Sequence, residues 1–273
     1  MADYLAVNRA NWDERAPAHA ASPGYSVREL IADPERISGV VRFDVPRLGD
    51  IAGLRGVHLQ CHIGTDTISL ARLGARMTGL DFSGAAVVEG RRIAAAAGAD
   101  VEFVESDLYG APDVLPTGAF DLVFTGIGAL GWLPDIRRWA GVVAALLKPG
   151  GRLFLREAHP MLWAIDEDVP DALVVGYPYF ETAEPATFEN SASYVPTAAP
   201  FVHTTSHSWN HGLGEIVNAL LEAGMTLTQL VEHDSVPWDA LPGRMVLGAD
   251  GEYRLREHPE RLPLTYTLQA VKR

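Results

Sequence analysis

From residue 57 onward, short apolar runs alternate with longer stretches whose apolar positions recur at helical spacing. Residues 57–61 (VHLQC) read as a strand, and the helix after them is expected over 67–73. Residues 76–80 form a second predicted strand, ending at Asp81. Ser83 is a good N-cap for an alanine-rich helix reaching Ala97, and Gly98 is a good terminator, since only a left-handed residue closes such a helix without strain. Residues 101–104, 120–124 and 152–157 are three more expected strands. A helix from Pro134 to Leu147 comes before the last of these, with proline at its first turn. Between them Lys148-Pro149-Gly150-Gly151 reads as a stop and a turn. Strand and helix alternating at this spacing predict right-handed βαβ units and a mainly parallel sheet, an α/β fold.

The pattern breaks after Glu157. Residues 160–201 hold six prolines, several aromatics and little sustained periodicity. A loop of that length inside a compact domain suggests a lid, a binding loop or a small added sheet. Regular structure returns as an amphipathic helix over 213–223, closed by Gly224, then strands over 225–232 and 264–271. Residues 1–45 precede the first βα unit and are helical and amphipathic in places, which suits a cap over the sheet. The expected organisation is therefore a cap over 1–45 and one domain over 46–273, with 160–205 as an inserted lid or substrate segment.

Composition narrows the partners. The chain has 273 residues and a net charge of −13, so it is short of the Lys and Arg that neutralise phosphates. Nucleic acid and anionic membrane are disfavoured, and a small or neutral ligand is favoured. The single cysteine, Cys61, excludes an internal disulfide framework and a cysteine-based zinc cluster. The N-terminus is charged and lacks the apolar core of a signal peptide, and no stretch approaches the roughly 20 apolar residues that span a bilayer. A cytoplasmic protein is the expectation; a homo-oligomer is compatible with it.

Three features sit where ligands bind in such sheets, at the carboxyl ends of the strands. The loop Gln60-Cys61-His62-Ile63-Gly64-Thr65-Asp66 leaves the first strand, and a glycine there allows close backbone approach. Asp81 ends the second strand about 20 residues later, where a carboxylate can accept ribose hydroxyls. Asp107, in Ser106-Asp107-Leu108, follows the third strand.

This succession, with a helical cap before it and a Lys-Pro-Gly-Gly turn leading into the fifth strand, resembles the class I S-adenosylmethionine-dependent methyltransferase family. The resemblance spans residues 50–273 or so. It implies a Rossmann-like class I methyltransferase fold: a mainly parallel seven-stranded sheet flanked by helices, with an N-terminal helical cap and an inserted lid. The implied cofactor is S-adenosyl-L-methionine, leaving S-adenosyl-L-homocysteine, and the implied contacts are Gln60, His62, Gly64, Asp81, Phe82, Asp107, Leu108, Thr125, Gly126, Ile127 and Trp132. The family usually places an acid and two or three glycines in the first loop; here Gln60 replaces the acid, His62 and Asp66 replace glycines, and only Gly64 remains. A nicotinamide-dependent oxidoreductase is the competing reading. It would seat a pyrophosphate on a glycine-rich helix N-terminus, which bulky His62 and acidic Asp66 would crowd and repel. A sulfonium cofactor without phosphates is harmed far less. A non-catalytic binder of the same cofactor is a further alternative, kept open by the glycine-poor loop.

The resemblance further implies methylation of oxygen, nitrogen or carbon on a small, aromatic or heterocyclic acceptor. High Ala, Gly and Arg with scarce Lys is consistent with a high-GC bacterium, where many relatives serve secondary metabolism. Tyr25, Glu157 and His207 are the candidate polar or catalytic contacts, with Tyr25 or His207 as proton acceptor. Trp12, His159, Trp163 and Trp209 are candidate substrate contacts, the tryptophans as walls of an aromatic pocket. Three histidines, His203, His207 and His211, lie close in sequence, but no H-x-x-x-H among them lies on a well-supported helix with a third ligand, so a metal site is not expected.

Overall fold

The structure is a computed structural model, and it describes residues 4–169, 172–197 and 199–273. The expected cap and lid positions 1–3, 170–171 and 198 lie outside the described residues. Three helices come first: α1 (Tyr4–Ala21), α2 (Val27–Ala32) and α3 (Gly39–Leu48). The alternating core follows as β1 (Arg55–Leu59), α4 (Thr65–Arg72), β2 (Arg76–Asp81), α5 (Gly84–Ala97), β3 (Glu102–Glu105), α6 (Ala111–Val114), β4 (Phe120–Thr125), α7 (Ile136–Leu146) and β5 (Leu147–Ala158). After a short α8 (Pro160–Trp163), the inserted segment forms the hairpin β6 (Ala186–Glu189) and β7 (Thr205–Ser208). Then come α9 (Leu213–Glu222), β8 (Met225–His233), a second small hairpin of β9 (Met245–Leu247) and β10 (Tyr253–Leu255), and β11 (Thr265–Lys272).

Seven strands pair in the order β3-β2-β1-β4-β5-β11-β8. The first five are parallel, and β11 runs antiparallel to both neighbours. The order reverses between β1 and β4, and this opens a crevice at their carboxyl ends. Helix α7 shows why the helices pack as they do. Ile136, Trp139, Ala140, Val143 and Leu146 are buried at spacings of three and four, and the Asp135 side chain caps the first turn by accepting from the Arg138 N–H at 2.9 Å. That face meets Val57, Leu59, Val123, Leu153 and Leu268 on one side of the sheet. Helices α3 and α4 cover the other side over Leu122, Phe124 and Phe154. Ser83 caps α5 and Gly98 closes it in the left-handed region, as the sequence predicts.

Two expectations are corrected. Lys148-Pro149-Gly150-Gly151 is not a free turn: pairing with β4 begins at Leu147 and resumes at Arg152, so the four residues are a bulge within β5. Gly151 is required there because a Cβ would lie 2.8 Å from the Phe120 carbonyl oxygen. The first strand also ends at Leu59 and not at Cys61, because Gln60 (φ 55°) and His62 (φ 51°) both leave the extended region. The β9–β10 hairpin was not expected; each strand has three residues, too few for a period to register.

Gly64 sits at φ 76°, and a Cβ on it would lie 2.4 Å from the Phe103 ring. Gly64→Ala combines a left-handed penalty of about 1–2 kcal/mol with overpacking of about 1–3 kcal/mol. Urea unfolding should therefore show stability lower by about 2–5 kcal/mol, and an unchanged midpoint would refute this packing.

Candidate active site at the crevice between β1 and β4

The loop after β1 is fixed by a carboxylate. Asp81 is buried at the end of β2, accepting from the His62 N–H on Oδ2 at 2.7 Å and from the Ser83 N–H on Oδ1 at 2.9 Å. Burial pushes its pKa up to about 6, against the pull of these backbone donors. Ser83 in turn donates to Asp13 Oδ1 at 2.6 Å, and Ala85 N–H donates to the same oxygen at 3.2 Å, so α1 is tied to the first turn of α5. Two non-glycine residues in the left-handed region within one loop cost of order 1–3 kcal/mol each, and such strain gathers at functional sites.

The opposite wall is the loop after β4. Glu157 is buried at the end of β5 and accepts four backbone N–H groups: Gly128 at 2.5 Å, Ala129 at 2.7 Å, Leu130 at 2.8 Å and Ala158 at 2.6 Å. With its oxygens so engaged it is the clamp of that loop, not a free acid or base. Gln60 Nε2 donates to the Ala129 carbonyl at 2.8 Å, bridging the two walls. Trp132 donates to the Gly128 carbonyl at 2.9 Å and lies edge-on to Trp12, with ring centres 5.1 Å apart.

Between these walls lies a cleft of about 20 Å³, lined by Gln60, Phe82, Asp107, Leu108 and Trp132 and roofed by Tyr4, Leu5 and Asn8 of α1. Asp107 also accepts from the Tyr109 N–H at 3.2 Å, capping the turn beneath the cleft. Among the described residues, the buried Gln60 Oε1, Thr125 Oγ1 and Trp12 Nε1 have no hydrogen-bond partner. Orphaned buried polar atoms are costly and commonly mark a site for a ligand or water. Other expected contacts face elsewhere. The open side of Gly64 is filled by Phe103, that of Gly126 faces His58 Nε2 at 3.2 Å, and Ile127 packs on the cluster around Ala158 and Leu264.

Beyond His62 the cap contributes a cluster of rings. His19 Nδ1 lies 2.9 Å from His62 Nε2, and His19 Nε2 lies 2.7 Å from Ser193 Oγ. The Tyr25 hydroxyl meets the Tyr194 hydroxyl, which is 3.4 Å from His19 Nδ1. Trp12 stands edge-on to both His19 and His62. Burial lowers the His19 pKa to about 4, with the Arg15 charge acting in the same direction, and burial also holds His62 well below its ordinary value. Burial drives the Tyr25 phenol well above 10, so it stays protonated and is unsuited to the expected role of proton acceptor.

The structure thus brings Trp12, Tyr25, His62 and Trp132 together, and does not bring His207 or Glu157 to them. His207 lies on β7, where its backbone bonds both ways with the Asn8 side chain and its ring pairs with Thr187 at 3.0 Å. His159 caps α8 by accepting from the Met161 N–H and pairs with Glu232 at 2.9 Å. Trp163 stacks on Trp238 toward the surface, and Trp209 is buried edge-on to Tyr4. His211 bonds the Leu133 carbonyl, so the three histidines at 203–211 do not converge. Ser193 and Tyr194 were missed by the sequence analysis, because nothing in an aperiodic segment says which residue folds back onto a helix over 170 positions away.

Comparison with known proteins agrees with this architecture. Residues 57–153 match the family model of a methyltransferase domain. The chain is 37% identical over 87 residues to a demethylmenaquinone methyltransferase of Thermus thermophilus, covering 32% of this chain and 38% of that protein. It is 34% identical over 106 residues to a ubiquinone biosynthesis O-methyltransferase of Xanthomonas euvesicatoria, covering 39% and 44%. The chain therefore spans less than half the length of these two relatives. A solved structure of a putative S-adenosylmethionine-dependent methyltransferase from Listeria monocytogenes shares the fold with a TM-score of 0.59 and 18% identity, over 86% of this chain and 97% of that one. Residues 57–153 are thus similar to a methyltransferase domain, and the chain shares the fold of the class I S-adenosylmethionine-dependent methyltransferases. No helix among the described residues is long and apolar enough to cross a membrane.

The buried His19 has a consequence for stability. Unfolded, it takes up a proton near pH 6.5; folded, only near pH 4. Between these values the unfolded chain binds more protons, so the His19 contribution to stability is intact above pH 6.5 and is lost as pH falls toward 4, by about 3 kcal/mol. Asp81 and Glu157, raised to about 6 and about 7, act in the opposite sense, so the informative quantity is a difference. The stability of wild type relative to His19→Gln should decline from pH 7 to pH 4 in paired denaturant titrations, whereas a constant offset would contradict it.

Proposed function

We propose that the chain transfers a methyl group from S-adenosylmethionine to a small-molecule acceptor. The observation that carries this reading is the cleft at the strand-order reversal, lined by Gln60, Phe82, Asp107, Leu108 and Trp132, with Asp81 at the end of β2 and with Gln60 Oε1 and Thr125 Oγ1 buried without partners among the described residues. That donor and acceptor set fits an adenosyl group and a methionine tail. Asp81 retains lone pairs for ribose hydroxyls, Asp107 for the adenine amino group, and Phe82 and Leu108 supply apolar faces. Gln60, His62, Thr125 and Trp132 border the methionine end, with Gly64, Gly126 and Ile127 shaping the loops behind them. The cofactor supplies an electrophilic methyl on a sulfonium with a neutral thioether leaving group. The chain's part is to orient the acceptor and exclude water, a contribution of up to about 7–11 kcal/mol in favourable cases. A cleft of about 20 Å³ holds little more than one water, so the start of α1, with Tyr4, Leu5 and Asn8, must lift to admit the cofactor.

The rings of Trp12, Tyr25 and Trp132 favour an aromatic or heterocyclic acceptor, held between the cap over 1–45 and the inserted segment over 160–205 of the 46–273 domain. The names of the similar quinone methyltransferases support that choice. The charge of −13 argues against nucleic acid, and the composition suits a cytoplasmic bacterial enzyme of secondary metabolism, alone or as a homo-oligomer. A dinucleotide oxidoreductase is disfavoured by His62 and Asp66 where a pyrophosphate would sit.

Calorimetric titration with S-adenosylhomocysteine tests the reading. Wild type should bind, and Asp81→Ala, which frees the His62 loop and removes the ribose acceptor, should bind at least about 100-fold more weakly, as expected for losing a buried charged acceptor. Absence of binding by wild type at millimolar concentration would sink the proposal. Binding without turnover would favour a non-catalytic binder, a reading that the closed roof of α1 keeps in play.

A further inference from the structure

The contacts that run on from His62 through His19 to Ser193 extend beyond what holding a cofactor needs. His62 is only partly buried, and no described residue hydrogen-bonds its Nδ1. Its Nε2 lies 2.9 Å from His19 Nδ1, in a side chain with no solvent exposure. His19 Nε2 lies 2.7 Å from Ser193 Oγ, on a half-buried residue of the inserted segment. Two tautomer sets satisfy the line; in the one that suits proton uptake, both imidazoles carry their proton on Nε2, and each donates to the next group outward. That assignment leaves a bare lone pair on His62 Nδ1. His62 also stands in the glycine-poor loop at φ 51°, strained backbone that a smaller residue would not need.

We propose that His62, His19 and Ser193 form a proton relay, and that the acceptor is methylated on a hydroxyl oxygen. This rests on the methyl-transfer reading. The acceptor O–H bond breaks and an O–CH3 bond forms, while the S–CH3 bond breaks with its electron pair remaining on sulfur. The released proton goes to His62 Nδ1. The His62 Nε2 proton passes to His19 Nδ1, the His19 Nε2 proton to Ser193 Oγ, and the Ser193 hydroxyl proton to water. Return of the imidazoles to the starting tautomers follows by exchange with solvent after product leaves. His62 is the catalytic residue of this line; His19 and Ser193 act through it. The groups around it suit the task. Burial of both rings, with Arg15 acting the same way on His19, keeps the pair neutral near pH 7, so a proton received at His62 Nδ1 is passed along the line and not held. The Tyr25 and Tyr194 hydroxyls beside His19 remain protonated and bond to each other, so they do not compete as bases. An acceptor that is already an anion, or a carbon nucleophile with no proton to lose before attack, would have no use for the line.

The test uses the full chain with S-adenosylmethionine and two phenolic probes, catechol and 4-nitrocatechol; the second is largely ionised near neutral pH. His62→Asn tolerates the left-handed backbone and keeps a donor toward His19, but it has no base. It should lose about 100-fold or more in kcat on catechol with little change in KM, beyond any change in S-adenosylhomocysteine affinity that calorimetry reads for the same variant. On 4-nitrocatechol it should lose little, since no proton need be removed. Nitrogen-15 spectra of the histidines in the ligand-free protein at neutral pH should show Nε2–H tautomers for both His19 and His62. Wild-type kcat on catechol in the variant, equal losses on both phenols, or methylation of aniline but of neither phenol would each overturn the relay. Failure of wild type to bind S-adenosylhomocysteine would count instead against the methyl-transfer reading.

Discussion

The structure around the crevice depends on one carboxylate. Asp81 holds the His62 N–H with one oxygen and the Ser83 N–H with the other, so a single buried side chain joins the loop after β1 to the loop after β2. The backbone at Gln60 and His62 is in a region L-residues avoid, and that bond holds it there together with the Gly64 N–H to Cys61 carbonyl and Cys61 N–H to Leu80 carbonyl bonds. The Ser83 hydroxyl extends the connection to Asp13, so the position of the cap helix is set from the same point. Glu157 does for the wall after β4 what Asp81 does for the wall after β1, with four N–H donors in place of two. Two carboxylates, at the ends of β2 and β5 on either side of the β1–β4 pair, thereby hold the two walls of the cleft.

The cap and the inserted hairpin behave as one body for an equally local reason. β7 is an edge strand, and helix α1 supplies side chains to its exposed backbone. Asn8 bonds both the N–H and the carbonyl of His207, Asn11 reaches the His203 and Thr205 carbonyls, and Arg15 reaches those of His203 and Asn190. Glu14 accepts from the N–H groups of Val202 and His203 at the same edge. Any opening that admits a ligand under Tyr4 and Leu5 must therefore carry the hairpin along or break several of these bonds. Placing Ser193 and Tyr194 next to His19 is a by-product of this docking, so their share of the ring cluster exists only when cap and insert are together.

Much of the sheet was legible because its signals are local. Apolar runs bounded by Ser83, Gly98 and Gly224 mark their own ends, and the seven strands of the sheet follow from them, whereas their order β3-β2-β1-β4-β5-β11-β8 is set by long-range pairing. The cleft was partly legible for the same reason: Gln60, Phe82, Asp107, Leu108 and Trp132 line it, and all but Trp132 lie at or just after a strand end. Glu157 could be placed at a strand end but not given its partners, since whether a carboxylate faces a substrate or a row of N–H groups is decided by a loop 27 to 29 residues away. His207 misled because residues on a hairpin alternate faces, and its ring points to Thr187. The His19–His62 pair could not be read, because it joins a helix to a loop 43 residues on, through a turn whose geometry depends on Asp81.

Hydrogen exchange read by mass spectrometry, with and without S-adenosylhomocysteine, tests most directly that this crevice is a cofactor site governed by Asp81 and closed by the cap. The account predicts added protection at the amides of 60–66 and 81–85, together with altered exchange in the first two turns of α1 and along β7. Unchanged exchange across all four segments at saturating ligand, or protection confined to a distant part of the sheet, would contradict it.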